Sequence, residues 1–396
     1  MIDIALLFVA YLLSQFYRAF LPVLTPALTA DLGVDAADLS RAAGAWFIAF
    51  AAMQAPAGLA LDLSGPRRLV AAGLVAGCGG GALLFGAAEG AWGLIAGMAL
   101  IGAGCAPILI SGLFLFARRF APERFATLAG LMIGVGSLGN VLGAAPLAAA
   151  VEAFGWRTVM TGLAVAAAAL GVTAALVMRD PPRLEGAGAG RALAGYVELL
   201  RMRALWFVIP LALFSYAVSA GIRGLWSGPW LAEVHGLGTL ELGRGILWMA
   251  LAMTAGAFAF GPLDRLLGTR KWVLFCANAT VAATVWALAL RPGAFGAEGA
   301  VIALAVIGFF GATYSVMSAH FTAFAPPRLT GRAVTLLTVF GIGGVGLGQL
   351  VTGAMHTEAV AAGVPLPDAY APVFLWYATT LTAALAVYLF SRDLKP

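Results

Sequence analysis

An all-α polytopic membrane protein, twelve transmembrane helices in two pseudo-symmetric six-helix bundles, is the fold class that this sequence predicts. Three observations predict it. The 396 residues are 62% hydrophobic and only 10% charged, with a mean hydropathy of +0.96; a soluble domain needs about 25% charged residues to cover its surface. Apolar stretches recur at the length that crosses a bilayer, about 20 residues each, with short polar intervals between them. Halfway along, a polar interval divides the chain, and the segments on either side of it echo one another.

The spans are read at about 3–28, 40–62, 68–88, 92–117, 125–150, 157–178, 205–232, 242–262, 272–290, 298–322, 333–355 and 370–391. All are expected to be helical, because an open strand edge could not satisfy its backbone in lipid. The 51 glycines suit helices that pack closely where no hydrophobic force draws them together. The first span is too long, and too free of a cleavage site after it, for a removed signal peptide. The interval 179–203 contains Asp180, Pro181 and Pro182 and the run EGAGAG from Glu185. Proline and glycine there end the sixth helix and loosen the chain. The expected organisation is an N-terminal bundle over 1–178, a cytoplasmic linker over 179–204 and a C-terminal bundle over 205–396.

Charge placement sets the orientation. With the N-terminus inside, the inner intervals hold 17 basic residues and the outer ones four (Arg41, Arg157, Arg244, Arg291). That split is a positive-inside signal and puts both termini in the cytoplasm. It also explains the net charge of +5 and the pI near 9.4 without a nucleic-acid partner. Cys78, Cys105 and Cys276 fall inside spans, far apart in sequence, and are expected as buried small hydrophobes.

Two arginines remain, one in the first span of each half. Arg18 lies in YLLSQFYRAFLPVLTP, residues 11–26, and Arg223 in FSYAVSAGIRGLWSGP, residues 214–229, about 205 positions apart. A guanidinium at the bilayer centre costs from about 3 to more than ten kcal/mol, so it faces a bundle interior or an aqueous cavity. On a continuous helix Tyr11, Ser14 or Gln15, Arg18 and Pro22 share one face; around Arg223 the matching face holds Tyr216, Ser219 or Ala220, and Trp226 or Ser227. The guanidinium is a planar fork of donors matched to carboxylate and phosphate oxygens. Every Asp and Glu falls in a loop or at a helix end, leaving no mid-membrane carboxylate to neutralise the arginines or carry a proton. The arginines are therefore expected to clamp an anion. The competing expectation is that they hydrogen-bond carbonyls freed by Pro22, Pro26 or Pro229, or snorkel to the outer surface.

A second repeat carries a family resemblance. GLALDLSGPRR, residues 58–68, follows the second span, and GPLDRLLGTRK, residues 261–271, follows the eighth, about 202 positions later. The first resembles the loop signature GxxxDxxGxRR of the major facilitator superfamily, and the likeness of plan covers essentially the whole chain. It implies a twelve-helix carrier of two repeated halves with a midplane site. It also implies a cytoplasmic gating latch built from Asp62, Arg67 and Arg68, with Asp264 and Arg270 in the second copy. The fourth span departs from the family pattern, with Met98 where an arginine is usual. Gly134, Gly136, Gly139, Gly143 and Pro146 match the antiporter pattern in part, and close helix packing explains them as well. RGLWSGP, residues 223–229, and LTGR, residues 329–332, look like stretches common in bacterial facilitators of mostly unassigned substrate, some of which import riboflavin or copper. One arginine in span one and one in span seven is similar to the organophosphate/phosphate antiporters of the superfamily.

The expected function is thus a secondary active transporter that moves a small solute, an organic or phosphorylated anion, across the bacterial cytoplasmic (inner) membrane by alternating access. Substrate contacts are assigned to Arg18, Arg223, Tyr11, Ser14, Gln15, Tyr216, Trp226, Gln54, Tyr314, Gln349 and Trp376. Trp46, Phe340 and Tyr377 are further candidates to line the cavity and stack on a ring. Alternatives are import of riboflavin or a similar flat polar compound, copper import, or a transporter-like receptor without flux. No metal site is assigned; Met249 and Met253, four apart on one face, are the only weak candidates for a soft metal. His320 and His356 fall at span ends and His235 in an outer loop. There is no P-loop, nucleophile–base pair or metal-spaced cluster, so neither an enzyme nor a cofactor is expected. The expected partners are a small-molecule substrate, the lipid bilayer and a coupling ion (proton or counter-anion), with the chain a monomer.

Overall fold

The computed structural model describes residues 2–181 and 189–394, and within its helices all side chains but those at 62, 122, 123, 126, 189–194 and 327. Most of the proline- and glycine-rich part of the linker, 182–188, therefore lies outside the described residues, as does the Asp62 side chain. The described residues are helical throughout and contain no strand. They form two compact units, Met1–Ala187 and Gly188–Pro396.

The first unit contains α1 (Ile2–Phe16), α2 (Leu21–Leu32), α3 (Ala36–Ser64), α4 (Pro66–Gly86), α5 (Ala91–Arg119), α6 (Pro122–Leu142), α7 (Ala145–Phe154) and α8 (Trp156–Val177). The second contains α9 (Ala189–Leu200), α10 (Arg203–Glu233), α11 (Thr239–Leu267), α12 (Lys271–Leu290), α13 (Gly296–Gly311), α14 (Tyr314–Ala323), α15 (Thr330–Ala361) and α16 (Leu366–Tyr388). Among the described residues ten helical segments are long and apolar enough to cross a membrane, α13 and α14 counting together. Two bent pairs, α1–α2 at 51° and α6–α7 at 44°, bring the number to twelve when each is one span.

Proline explains both bends. Its ring strikes the carbonyl of the residue four earlier and it donates no hydrogen bond. Pro146 stands four after Leu142, the last residue of α6, and Pro22 stands four after Arg18, in the turn that follows α1. The second bend overturns one expectation. Arg18 is not on the helical face shared by Tyr11 and Ser14, because the helix stops at Phe16. A second correction concerns the linker, in which residues 189–200 fold into α9. The segment AGRALAGYVELL is rich in helix-forming Ala, Leu and Glu, and it buries Leu199. Glu198 takes both guanidinium N–H groups of Arg328, at 3.0 and 2.6 Å.

The two units repeat one packing scheme. In the first, α1 lies on α6, α3 on α5 and α4 on α8; in the second, α10 lies on α15, α11 on α13 and α12 on α16. Glycine makes the equivalent contacts possible. A Cβ on Gly139 of α6 would collide with the carbonyl of Leu12, and a Cβ on Gly344 of α15 with that of Leu213. Backbones approach here as closely as small residues permit.

Candidate functional site

In the first unit the polar face of α1 packs inward. Tyr11 and Ser14 are buried, and Gln15 Nε2 donates to the Tyr11 hydroxyl at 2.8 Å. The Tyr11 ring occupies the space left by Gly136 on α6. Arg18 leaves the α1–α2 turn half-buried, with Cζ 5.4 Å from the Trp46 ring centroid and 5.1 Å from that of Phe50. Trp46 and Phe50 are one turn apart on α3 and stack on each other at 5.2 Å and 17°. Gln54, a further turn along, is also buried. The rings engage the guanidinium through its face, an attraction of about 0.5–2 kcal/mol, while its N–H donors lie in the plane at its edge.

In the second unit α10 runs on through Arg223, with a π-helical turn at Ile222–Trp226. Pro229 stands four after Leu225, inside that turn, and the wider turn absorbs the proline without breaking the helix. Arg223 is 2% exposed. Two side chains of α15 brace this stretch: Gln349 Nε2 donates to the Gly221 carbonyl at 2.8 Å, and Thr352 Oγ1 accepts the Trp226 indole N–H at 2.9 Å. Gln349 and Trp226, expected at the substrate, thus bind the protein itself here. Trp376 is half-buried against Gly348, with Phe214 and Tyr377 beside it. Tyr216 and Tyr314 come together, ring centroids 6.5 Å apart. They line a cleft of about 270 Å³ with Ser215, Thr313 and Met317, where the helix breaks between α13 and α14. Tyr314 also shares a hydrogen bond of 3.0 Å with Thr338.

The signature loops carry a matched device that the sequence reading missed. In the first unit the backbone N–H of Arg67 donates to Asp180 Oδ1 at 2.9 Å, and Arg67 Nε to the Ala175 carbonyl at 2.6 Å; Arg68 is exposed. In the second, Asp393 accepts the backbone N–H groups of Arg270 and Lys271 at 3.2 and 3.1 Å and the Thr269 hydroxyl. Buried Asp264 accepts from Arg270 Nε at 3.3 Å. Burial pushes the Asp393 carboxyl up, but the Thr269, Lys271 and Arg270 hydrogen bonds outweigh it and hold it below its ordinary range. Each of these aspartates follows the last span of its half, which is the one signal in the sequence that could have found them.

Met249 is buried, and Met249 and Met253 pack on Gly308; the pair fills a helix contact. Among the described residues no group of three His, Cys, Asp or Glu is placed to hold a metal. Cys78 and Cys105, distant in sequence, meet at 3.6 Å within the first unit, and Cys276 is exposed rather than buried.

The family model of the Major Facilitator Superfamily matches residues 7–261. Among solved structures, the chain is similar to a bacterial homolog of the human lysosomal transporter Spinster, at TM-score 0.78 and 18% identity over 98% of this chain and 96% of that one. It is similar to a D-xylose-proton symporter at TM-score 0.78 and 13% identity, over 98% of this chain and 97% of that one. It is also similar to the nucleoside transporter NupG at TM-score 0.79 and 15% identity, over 98% and 99%. At these identities the likeness is one of fold. No match is found among curated proteins.

Proposed function

Because the chain belongs to the Major Facilitator Superfamily, a family of multi-pass membrane transporters, we propose that it moves a small organic or phosphorylated anion bearing a ring. The movement is by alternating access between its two six-helix halves, across the bacterial cytoplasmic membrane with both termini inside. The observation that carries this reading is the placement of Arg18. Its guanidinium rests on the Trp46 and Phe50 rings in the bend between α1 and α2, so one locus offers a donor fork for an anion and aromatic faces for a ring. Gln15 and Tyr11, one turn back, add an amide and a hydroxyl. Arg223, enclosed in its π turn, adds positive potential to the second half without presenting itself at a surface. The signature loops, with Arg67, Arg68, Asp264 and Arg270, are assigned to gating.

Purified protein warmed with phenyl phosphate and benzenesulfonate tests this. A ligand at a hundred times its Kd adds about 2.7 kcal/mol if it binds only the folded form. We expect stabilisation by these anions in the wild type and none in Arg18→Ala. Stabilisation that survives Arg18→Ala rejects the reading.

One observation favours a second reading, a flat polar ring compound such as riboflavin: the Tyr216–Tyr314 cleft, walled by two phenols and the Ser215 and Thr313 hydroxyls. Stabilisation by riboflavin but by neither anion, lost in Tyr216→Ala, would select it. Saturable uptake into proteoliposomes separates either carrier from a receptor without flux.

A further inference from the structure

A row of polar aromatic contacts crosses the second unit from the surface to the π turn of Arg223. Glu233, the last residue of α10, is exposed, and its Oε2 accepts the Tyr370 hydroxyl at 2.6 Å. Tyr370 is fully buried, and its ring lies 4.7 Å from that of His356, edge to face. His356, on α15, is 3% exposed, and its imidazole lies 5.4 Å from the buried Trp226 ring. Trp226 closes the π turn that holds Arg223. An imidazole is the side chain whose charge changes near neutral pH. Here it stands between a carboxylate at the surface and a guanidinium within.

We propose that His356 is a proton-binding site of the second half, its affinity set by the Glu233–Tyr370 pair, and that its proton is the coupling ion. The coupling rests on the carrier reading above; the protonation does not. Groups from each neighbouring element bear on it. Glu233 favours the imidazolium and Arg223 opposes it, both from α10. Tyr370 and Tyr377 of α16 are buried phenols that stay neutral, while Asp368 of α16 and Glu358 of α15 are exposed. Neutral His356 takes up one proton and becomes a cation three residues along the π turn from another. An anion arriving near Arg223 relieves that repulsion, so anion and proton each favour the other's binding, and reciprocally so.

Trp226 reports the event without any substrate, because an imidazolium quenches an indole it touches. A second imidazole–indole contact, His235 on Trp230 at 5.1 Å, would titrate too, so the full chain is studied as His235→Gln. Its fluorescence should fall through a single transition as the pH is lowered from about 9 to about 4. The transition should vanish in His356→Gln and in Trp226→Phe. In Glu233→Gln its midpoint should move down by about half a unit to one unit, since a favourable negative charge is lost. No transition, or one that persists in His356→Gln, overturns the site. Should that variant fail to fold, Trp226→Phe decides, and persistence there overturns it equally. In proteoliposomes, phenyl phosphate should drive proton movement in wild type and not in His356→Gln; unchanged proton movement overturns the coupling. If phenyl phosphate does not bind at all, the carrier reading fails while the fluorescence titration still decides the site.

Discussion

Arg18 and Arg223 occupy matched positions in two repeated halves and end in unlike surroundings. Arg18 is half-buried in a broken span, on two aromatic rings. Arg223 is enclosed in a continuous helix with one π turn. The difference traces to where the next disruptive proline falls. Pro22 stands four residues after Arg18 and strikes that residue's own carbonyl, so the helix opens at the arginine. Pro229 stands six after Arg223 and strikes the carbonyl of Leu225, so the chain widens by one residue and carries on. A repeat in sequence therefore conserves the backbone plan and not the exposure of a given side chain.

The largest expected effect tests that contrast directly. Arg18→Ala should abolish phenyl phosphate uptake in proteoliposomes and leave the thermal midpoint of the purified protein near wild type. Arg223→Ala should lower the midpoint, because removing an enclosed side chain leaves a cavity worth about 2–5 kcal/mol. Equal midpoints for the two variants would erase the distinction. A smaller effect should be the same in both halves. Gly139→Ala and Gly344→Ala each drive a methyl into a facing carbonyl, and each should destabilise by about 1–3 kcal/mol. Unequal losses would show that the repeated packing is not energetically repeated.

The loop caps sharpen the comparison at the cytoplasmic ends. Asp180→Ala and Asp393→Ala should each cost about 0.5–2 kcal/mol, as the loss of a helix cap does. The Asp393 carboxyl is held below its ordinary value by hydrogen bonds that overcome burial. A depressed folded value means that its contribution is complete above the unfolded value, about 3.9, and is lost as the pH falls through the lower folded one. Wild type and Asp393→Ala should thus differ in midpoint at neutral pH and converge in strong acid. The smallest effect belongs to the ring contact: Phe50→Leu should weaken anion binding several-fold, about 0.5–1 kcal/mol for one cation–π contact, read as the shift in Kd. Unchanged Kd would show that Phe50 merely fills space.

Much of the candidate site could be read from residue order, and the rest for stated reasons could not. Arg18 and Arg223 were visible because charge in an apolar span is rare. Trp46 and Gln54 were visible, while Phe50 was missed, although its spacing of four from Trp46 puts both rings on one face of α3. His356 was set aside as a helix-end residue, because nothing local says that Trp226 and Tyr370, far away in the chain, converge on it. The linker was expected to be loose from the prolines and glycines at its start, yet α9 follows them and docks on the segment leading into α15 through Arg328 and Glu198.

Composition, apolar length and repeated signatures by themselves determined an all-helical membrane carrier of two like halves, because lipid admits few ways to satisfy a backbone and those ways leave a plain periodic trace. Which arginine lies open and which is enclosed, which glutamine braces a carbonyl, and which histidine meets a tryptophan were decided only by tertiary structure. Those outcomes depend on contacts between residues more than a hundred positions apart, as from Trp226 to Thr352, and on how each helix yields at its proline.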